Sequence, residues 1–261
     1  MDGSSGYLLE KDTTSLKMRE QQNQEKRINL TILMPCLNEE ENIAFCINEA
    51  KSYLASVLVR FGHIGEILIV DNNSKDRSAY IAKECGARVV TEAHQGYGCA
   101  LRTGLRKARG SVIIFGDCDS TYDFGDLDSI YLPLAENRAD FVTGNRLGVD
   151  ESGDPTMEPG AMSLSHKLGV PFLSWCGRAK FRVRITDFHC GIRGIRKDAV
   201  RKCHYRTTGM EFATEMIAEA KKRGLRIEEV TVPLRVSKVK RREKLKTVRD
   251  GIRHFLYIVK A

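Results

Sequence analysis

Five short apolar runs, alternating with longer stretches of helical period, constrain this 261-residue chain most. The runs are Leu30–Met34, Glu66–Val70, Ala87–Val90, Ser111–Phe115 and Asp140–Thr143. They are rich in β-branched residues and nearly continuous in hydrophobicity, as strands covered on both faces must be. Helical patterns lie between them near 39–58, 76–85, 98–109 and 126–137. That alternation predicts an α/β fold with a mostly parallel, doubly wound sheet. Sheets of this kind bind ligands beyond the carboxyl ends of their strands. The residues that follow each run are therefore the candidates for chemistry.

The flanking segments read differently. Residues 1–27 are polar, without a sustained period, and are expected to form a mobile tail. A single folded domain is expected over 28–235. Within it, 147–185 holds several Gly and Pro residues and the apolar segment Met162–Trp175, and reads as a long functional loop. A helix near 209–223 and a strand near 226–232 follow. Residues 236–261 form a basic segment, and Leu245, Val248, Ile252, Phe255, Leu256 and Val259 fall on roughly one helical face.

Charge and cysteine content narrow the classes. A net charge of +8 suits an anionic partner, whether nucleic acid, an acidic membrane face or a phosphate-bearing substrate. Lys238, Lys240, Arg241, Arg242, Lys244 and Lys246 concentrate that charge near the C-terminus; by itself such a run reads first as a solvated face. None of the eight cysteines forms a C-x-x-C pair, which argues against a zinc site. With no signal peptide, the expected compartment is the reducing cytoplasm. No run approaches the roughly 18 apolar residues of a bilayer span.

Four groups of residues follow the strands. Pro35-Cys36-Leu37-Asn38-Glu39 follows the first. Asn38 can cap the next helix, or these polar groups can face a nucleotide. Asp71-Asn72-Asn73-Ser74 follows the second, with the Asp71 carboxylate placed to accept hydrogen bonds from a base or ribose. Gly96 and Gly98 open a helix, where they permit either a turn or a phosphate beside the backbone. Asp117-Cys118-Asp119 follows the fourth strand. Two carboxylates that bracket one residue at a buried strand end repel each other, and a divalent cation relieves the repulsion. Further on, Arg146 and Arg193 are candidates for forked bonds to phosphate, and Asp187 and Glu211 are acids without a basic neighbour in sequence. Clustered acids at strand ends repel a phosphate backbone, so no nucleic-acid partner is expected.

Taken in order, Pro35-x-x-Asn38-Glu39, Asp71-Asn72-x-Ser74-x-Asp76, Gly96-x-Gly98, Asp117-x-Asp119, Gly144-Asn145-Arg146, Asp187-x-x-Cys190-Gly191-x-Arg193 and Gly209-Met210-Glu211 resemble the family 2 glycosyltransferases. The subgroup most resembled is that of the dolichyl-phosphate mannose and glucose synthases and their bacterial polyprenyl-phosphate relatives, over about 28–256. The resemblance implies a Rossmann-like GT-A fold, inverting transfer from a nucleotide sugar and a Mg²⁺ or Mn²⁺ cofactor. It implies a nucleotide-sugar site built from Pro35, Leu37, Asn38, Glu39, Asp71, Asn73, Gly96, Gly98, Asp117 and Cys118. Asp71 would meet the base, Asp117 the ribose or diphosphate, and Asp119 the metal. Arg146 and Arg193 would bind the phosphate of a lipid acceptor at the cytoplasmic membrane face. For a hydroxyl acceptor, Asp187 or Glu211 would be the base. The chain departs from the mannose synthases at Val239–Leu245, where no serine stands between Glu243 and Lys244. UDP-glucose or a similar donor is therefore favoured over GDP-mannose.

Overall fold

The structure is a computed structural model that describes residues 28–149, 152–162, 164–239 and 247–261. The expected N-terminal tail and the basic run Lys240–Lys246 lie outside the described residues. Among them, seven strands form one sheet: β1 Leu30–Cys36, β2 Gly65–Asp71, β3 Arg88–Thr91, β4 Val112–Phe115, β5 Phe141–Asn145, β6 Arg193–Arg196 and β7 Ile227–Thr231. Their spatial order is β3-β2-β1-β4-β6-β5-β7. All neighbours are parallel except β6, which runs antiparallel to both β4 and β5. Eight helices accompany it: α1 Ile43–Phe61, α2 Ser78–Glu84, α3 Tyr97–Lys107, α4 Asp128–Ala135, α5 Leu164–Phe181, α6 Lys197–Lys202, α7 Phe212–Lys222 and α8 Thr247–Lys260.

The five apolar runs all become strands; four of them are largely buried, and β3, at the sheet edge, is partly exposed. Leu30, Ile32 and Met34 pack on one side with α1, while Leu33, Leu68 and Val70 pack on the other with α3. The sheet thus has a core on each side, which is the doubly wound arrangement.

Two elements depart from expectation. The apolar part of the presumed loop is the 18-residue helix α5. Gly169, Pro171 and Gly177 weaken its helical signal, and its packing against α8 supplies what propensity lacks. The central strand β6 reads Arg-Gly-Ile-Arg, which carries no apolar run. Arg193 is nevertheless only 1% exposed there. No helix of the described residues is long and apolar enough to cross a membrane.

Candidate active site

The carboxyl ends of β1, β2 and β4 converge on a cavity of about 490 Å³. Of the expected site residues, Pro35, Leu37, Glu39, Gly96, Asp117, Cys118 and Asp119 line it. Asn38, Asp71, Asn73 and Gly98 do not; Asp71 ends β2, Gly98 lies in the first turn of α3, and Asn38 and Asn73 lie in the loops after β1 and β2.

Asn38 does not cap a helix. Helix α1 begins at Ile43 without a side-chain cap. Asn38 adopts a left-handed backbone (φ 52°) and joins two loops instead. Its Oδ1 accepts from Lys75 N at 2.7 Å, and its N donates to Ser74 Oγ at 3.0 Å. Glu39 N donates to Ser78 Oγ at 2.7 Å in the same seam. Asp71, 7% exposed, accepts from Ser74 N at 3.3 Å. Asn73 sits exposed at the tip of that loop with φ 72°. The residue between them, Asn72, belongs to the same motif but not to the expected site residues, and it is the stronger constraint. Its Oδ1 accepts from Gly96 N at 2.7 Å, and its Nδ2 donates to the carbonyls of Glu92 and His94 at 3.0 and 2.9 Å. It fixes the turn that carries Gln95, Gly96 and Tyr97 into the cavity wall.

The two glycines serve a close backbone approach. A Cβ on Gly96, whose φ is 151°, would stand 2.3 Å from the Thr208 carbonyl oxygen, and one on Gly98 2.5 Å from that of Thr207. What comes beside this helix start is the segment 207–209, whose Thr208 carbonyl accepts from Cys99 N at 3.3 Å. Thr208, Gly209 and Met210 thereby form another side of the cavity.

Asp117 and Asp119 stand on the cavity floor. Burial, with the charge of Asp119 added to it, pushes the Asp117 carboxyl up to about 7. Arg146 and Arg193 oppose that rise. Asp119 accepts from Thr121 N at 3.1 Å and from Thr121 Oγ1. Between them the buried Cys118 thiol donates to the Pro35 carbonyl at 3.1 Å, which ties the loop to the end of β1. Among the described residues no group of three or more His, Cys, Asp or Glu side chains could hold a metal alone. Two crowded carboxylates beside an open cavity still suit a hard divalent cation such as Mg²⁺ or Mn²⁺, which completes its shell with water and substrate phosphate. The residues present fit that group.

The remaining expected residues find internal partners. Arg146 grips Asp187 with two parallel bonds, Nε to Oδ2 at 2.6 Å and Nη2 to Oδ1 at 2.9 Å. Asp187 is fully buried and also accepts from His189 N at 3.0 Å, so both of its oxygens are engaged. Arg193 donates Nε, Nη1 and Nη2 to the carbonyls of Cys190, Ala213 and Phe188 at 2.9, 2.6 and 2.6 Å. Both guanidiniums are thus engaged within the fold, and both Asp187 oxygens accept hydrogen bonds. Glu211 differs. Its Oε1 accepts from Arg253 Nη2 at 2.6 Å, while its buried Oε2 has no hydrogen-bond partner among the described residues. Desolvation alone would raise this carboxyl, but the Arg253 guanidinium outweighs it and holds the group below its usual range.

Arg253 belongs to α8, which closes the cavity with Arg249 and Asp250. This helix is amphipathic in the sense opposite to an ordinary surface helix. His254 and Ile258 are buried inward, whereas Ile252, Phe255, Leu256 and Val259 are exposed. Phe172 and Trp175 of the adjoining α5 are exposed as well, at 56% and 60%. Lys180 of α5 bonds the Val259 carbonyl at 3.3 Å, so these apolar side chains lie on a pair of joined helices.

Comparison with known proteins accords with this geometry. Residues 31–203 match the model of glycosyl transferase family 2. The low-salt glycan biosynthesis hexosyltransferase Agl6 of Haloferax volcanii is 34% identical over 231 residues; the match covers 88% of this chain and 53% of that protein. The chain thus spans about half the length of that relative. A dolichyl-phosphate hexose transferase of the same organism is 27% identical over 209 residues, covering 79% of this chain and 83% of its own. Among solved structures, glucosyl-3-phosphoglycerate synthase of Mycobacterium tuberculosis, in complex with Mn²⁺, UDP-glucose and phosphoglyceric acid, superposes with a TM-score of 0.69 at 18% identity, over 89% of this chain and 80% of that one. That likeness establishes the GT-A architecture. With the motif order, the fold and the family match in agreement, this chain belongs to glycosyl transferase family 2.

Proposed function

We propose that the protein transfers a hexose with inversion from a nucleotide diphosphate sugar, UDP-glucose or a close analogue, to a polyprenyl phosphate at the cytoplasmic face of a membrane. One observation carries this reading. The cavity is lined both by a pair of carboxylates and by an arginine-bearing helix, and that helix turns an apolar face outward. Acids with a cation serve the diphosphate of the donor. Arginines serve an anionic acceptor. Exposed Phe, Leu, Ile and Trp side chains flanked by Lys and Arg suit the boundary of an anionic lipid surface. The solved synthase binds Mn²⁺ and UDP-glucose, and one relative is named for a dolichyl-phosphate acceptor, which supports the same choice.

In this mechanism Asp119, with Asp117 beside it, would hold Mg²⁺ or Mn²⁺, and the cation would supply positive charge against the leaving diphosphate. Pro35, Leu37 and the Asn72-anchored turn shape the nucleotide pocket. An acceptor phosphate oxygen is already anionic near neutral pH, so it attacks the anomeric carbon without a strong base, and positioning supplies the rate. A hydroxyl acceptor is the second reading, favoured by the unpartnered Glu211 Oε2. Glu211 would then be the base, since both Asp187 oxygens already accept hydrogen bonds.

The test is a thermal-shift panel of UDP-, GDP- and dTDP-sugars with and without Mn²⁺, followed by transfer of labelled sugar to a short polyprenyl phosphate or to the matching alcohol. A Mn²⁺-dependent shift with a UDP-sugar and product only from the phosphate are expected. Product only from the alcohol, abolished by Glu211→Gln, would establish the second reading and overturn the first.

A further inference from the structure

We propose that Arg253 on the C-terminal helix is the residue that binds the acceptor phosphate, which makes α8 a wall of the active site. The inference rests on the phosphate-acceptor reading above and names the residue that recognises that acceptor.

Three observations converge. First, Arg193 commits Nε, Nη1 and Nη2 to three carbonyls, and Arg146 is clamped on the buried Asp187 by two parallel bonds with only 12% of its side chain exposed. Second, Arg253 is built into its place and keeps donors to spare. A Cβ on Gly209 would stand 2.6 Å from both Cζ and Nη2 of Arg253 and 2.7 Å from Glu211 Oε2. The Gly-Met-Glu segment is thus a bare seat for the guanidinium. Only Nη2 bonds a carboxylate, and the side chain remains 37% exposed. Nε and Nη1 have no hydrogen-bond partner among the described residues. A planar guanidinium anchored at one corner presents its other donors in the fork that suits a phosphate.

Third, Arg253 stands where two spaces meet. It lines the donor cavity, and it also lines a second one of about 800 Å³ between α7 and α8. The second carries Arg206, Arg223, Lys221, Lys222 and Lys260. Two of its acids are occupied within the fold. Glu215 accepts from the Arg206 and Thr207 backbone N–H groups and from Thr207 Oγ1, and Glu219 accepts from His204 N. Its net character is cationic, as an anionic headgroup requires. The exposed Leu256 on the same helix leads from this space to the outer apolar face, where a prenyl tail can lie.

The experiment compares wild type, Arg253→Lys and Arg253→Ala. For each, donor affinity is measured by calorimetry with Mn²⁺ and UDP-glucose, and the acceptor KM by steady-state transfer to a short polyprenyl phosphate. Inorganic phosphate serves as competitor. The alanine variant is expected to raise the acceptor KM about tenfold or more, the scale of a lost charge-assisted hydrogen bond. Its donor affinity should stay within about twofold of wild type. The lysine variant, a point charge without the fork, should fall between and keep phosphate competition. Equal losses in donor affinity and acceptor KM would overturn the assignment, as would no change in either. If wild type itself makes no product from the phosphate but does from an alcohol, the phosphate-acceptor reading fails instead. Should the alanine variant not fold, the lysine variant decides by the same KM criterion.

Discussion

The docking of α8 is expected to weaken as pH falls, through one buried histidine. His254 is 6% exposed; it bonds Thr214 Oγ1 through Nδ1 at 2.8 Å, and its ring meets that of His189 edge to face at 4.4 Å. Burial drives its pKa from 6.5 down to about 4, against the charge of Glu211 and with help from Arg193 and Arg253. A base whose folded pKa is depressed contributes stability in full above its ordinary pKa of 6.5 and loses it as pH falls toward 4. At about pH 5 the undocked helix gains a proton that the docked one refuses, which costs roughly 2 kcal/mol, or about 30-fold in the opening equilibrium. Glu211 does not confuse the window. Its pKa is lowered from 4.5, so its contribution fades only below that value. Hydrogen exchange of the peptide over 247–260, corrected for the intrinsic pH dependence of exchange, reads the opening directly. Protection should fall about 30-fold between roughly pH 7.5 and 5 in the wild type. His254→Phe keeps a ring in the site and has no proton to take up, so its protection should be lower throughout but flat over that range. An equal slope in both proteins, or none in the wild type, would refute the reasoning.

Three other outcomes follow from the site. Asp187→Asn leaves the Arg146 charge buried without its partner and should cost about 3 kcal/mol, a fall in Tm of roughly 10 °C by differential scanning calorimetry. Replacing both residues by apolar ones should cost less than that single change. Gly98→Ala places a methyl 2.5 Å from the Thr207 oxygen and 3.1 Å from the Phe212 Cβ, neither of which can yield locally. It should destabilise by about 1–3 kcal/mol in urea unfolding and weaken donor binding by moving the 207–209 wall. Asp119→Ala should abolish Mn²⁺-dependent UDP-sugar binding in calorimetry, and unchanged affinity would remove Asp119 from the metal site.

The sheet was legible because its evidence is local. A strand buried on both faces must be largely apolar, and β1, β2, β4 and β5 obey this, while the edge strand β3 shows itself by two central valines. The same rule hides β6, whose two arginines suggest a surface. Arg193 is tolerated at the centre of the sheet only because three carbonyls, those of Cys190 and Phe188 in the turn before it and that of Ala213 on α7, accept its donors. The local sequence does not show that these carbonyls turn toward Arg193, and the third comes from α7, 20 residues on. Helix α5 is hidden for a related reason, since its Gly and Pro residues argue against the helix that its contact with α8 stabilises.

The functional groups divide along the same line. Asp117 and Asp119 could be marked from sequence because their repulsion is a property of neighbours in the chain, and the elevated pKa of Asp117 restates it in three dimensions. Arginines carry no such signature. Whether a guanidinium is free for substrate depends on which carboxylates and carbonyls the fold delivers to it. Here the fold delivers Asp187 to Arg146, carbonyls to Arg193, and to Arg253 a single oxygen of Glu211 on a glycine seat. The signal that could have directed attention to Arg253 is the phase of its helix. In 247–260 the apolar stripe Ile252, Phe255, Leu256 and Val259 is out of register with His254 and Arg253 by about half a turn. A helix that buries its polar side must find polar work there, and in this chain that side meets the active cavity.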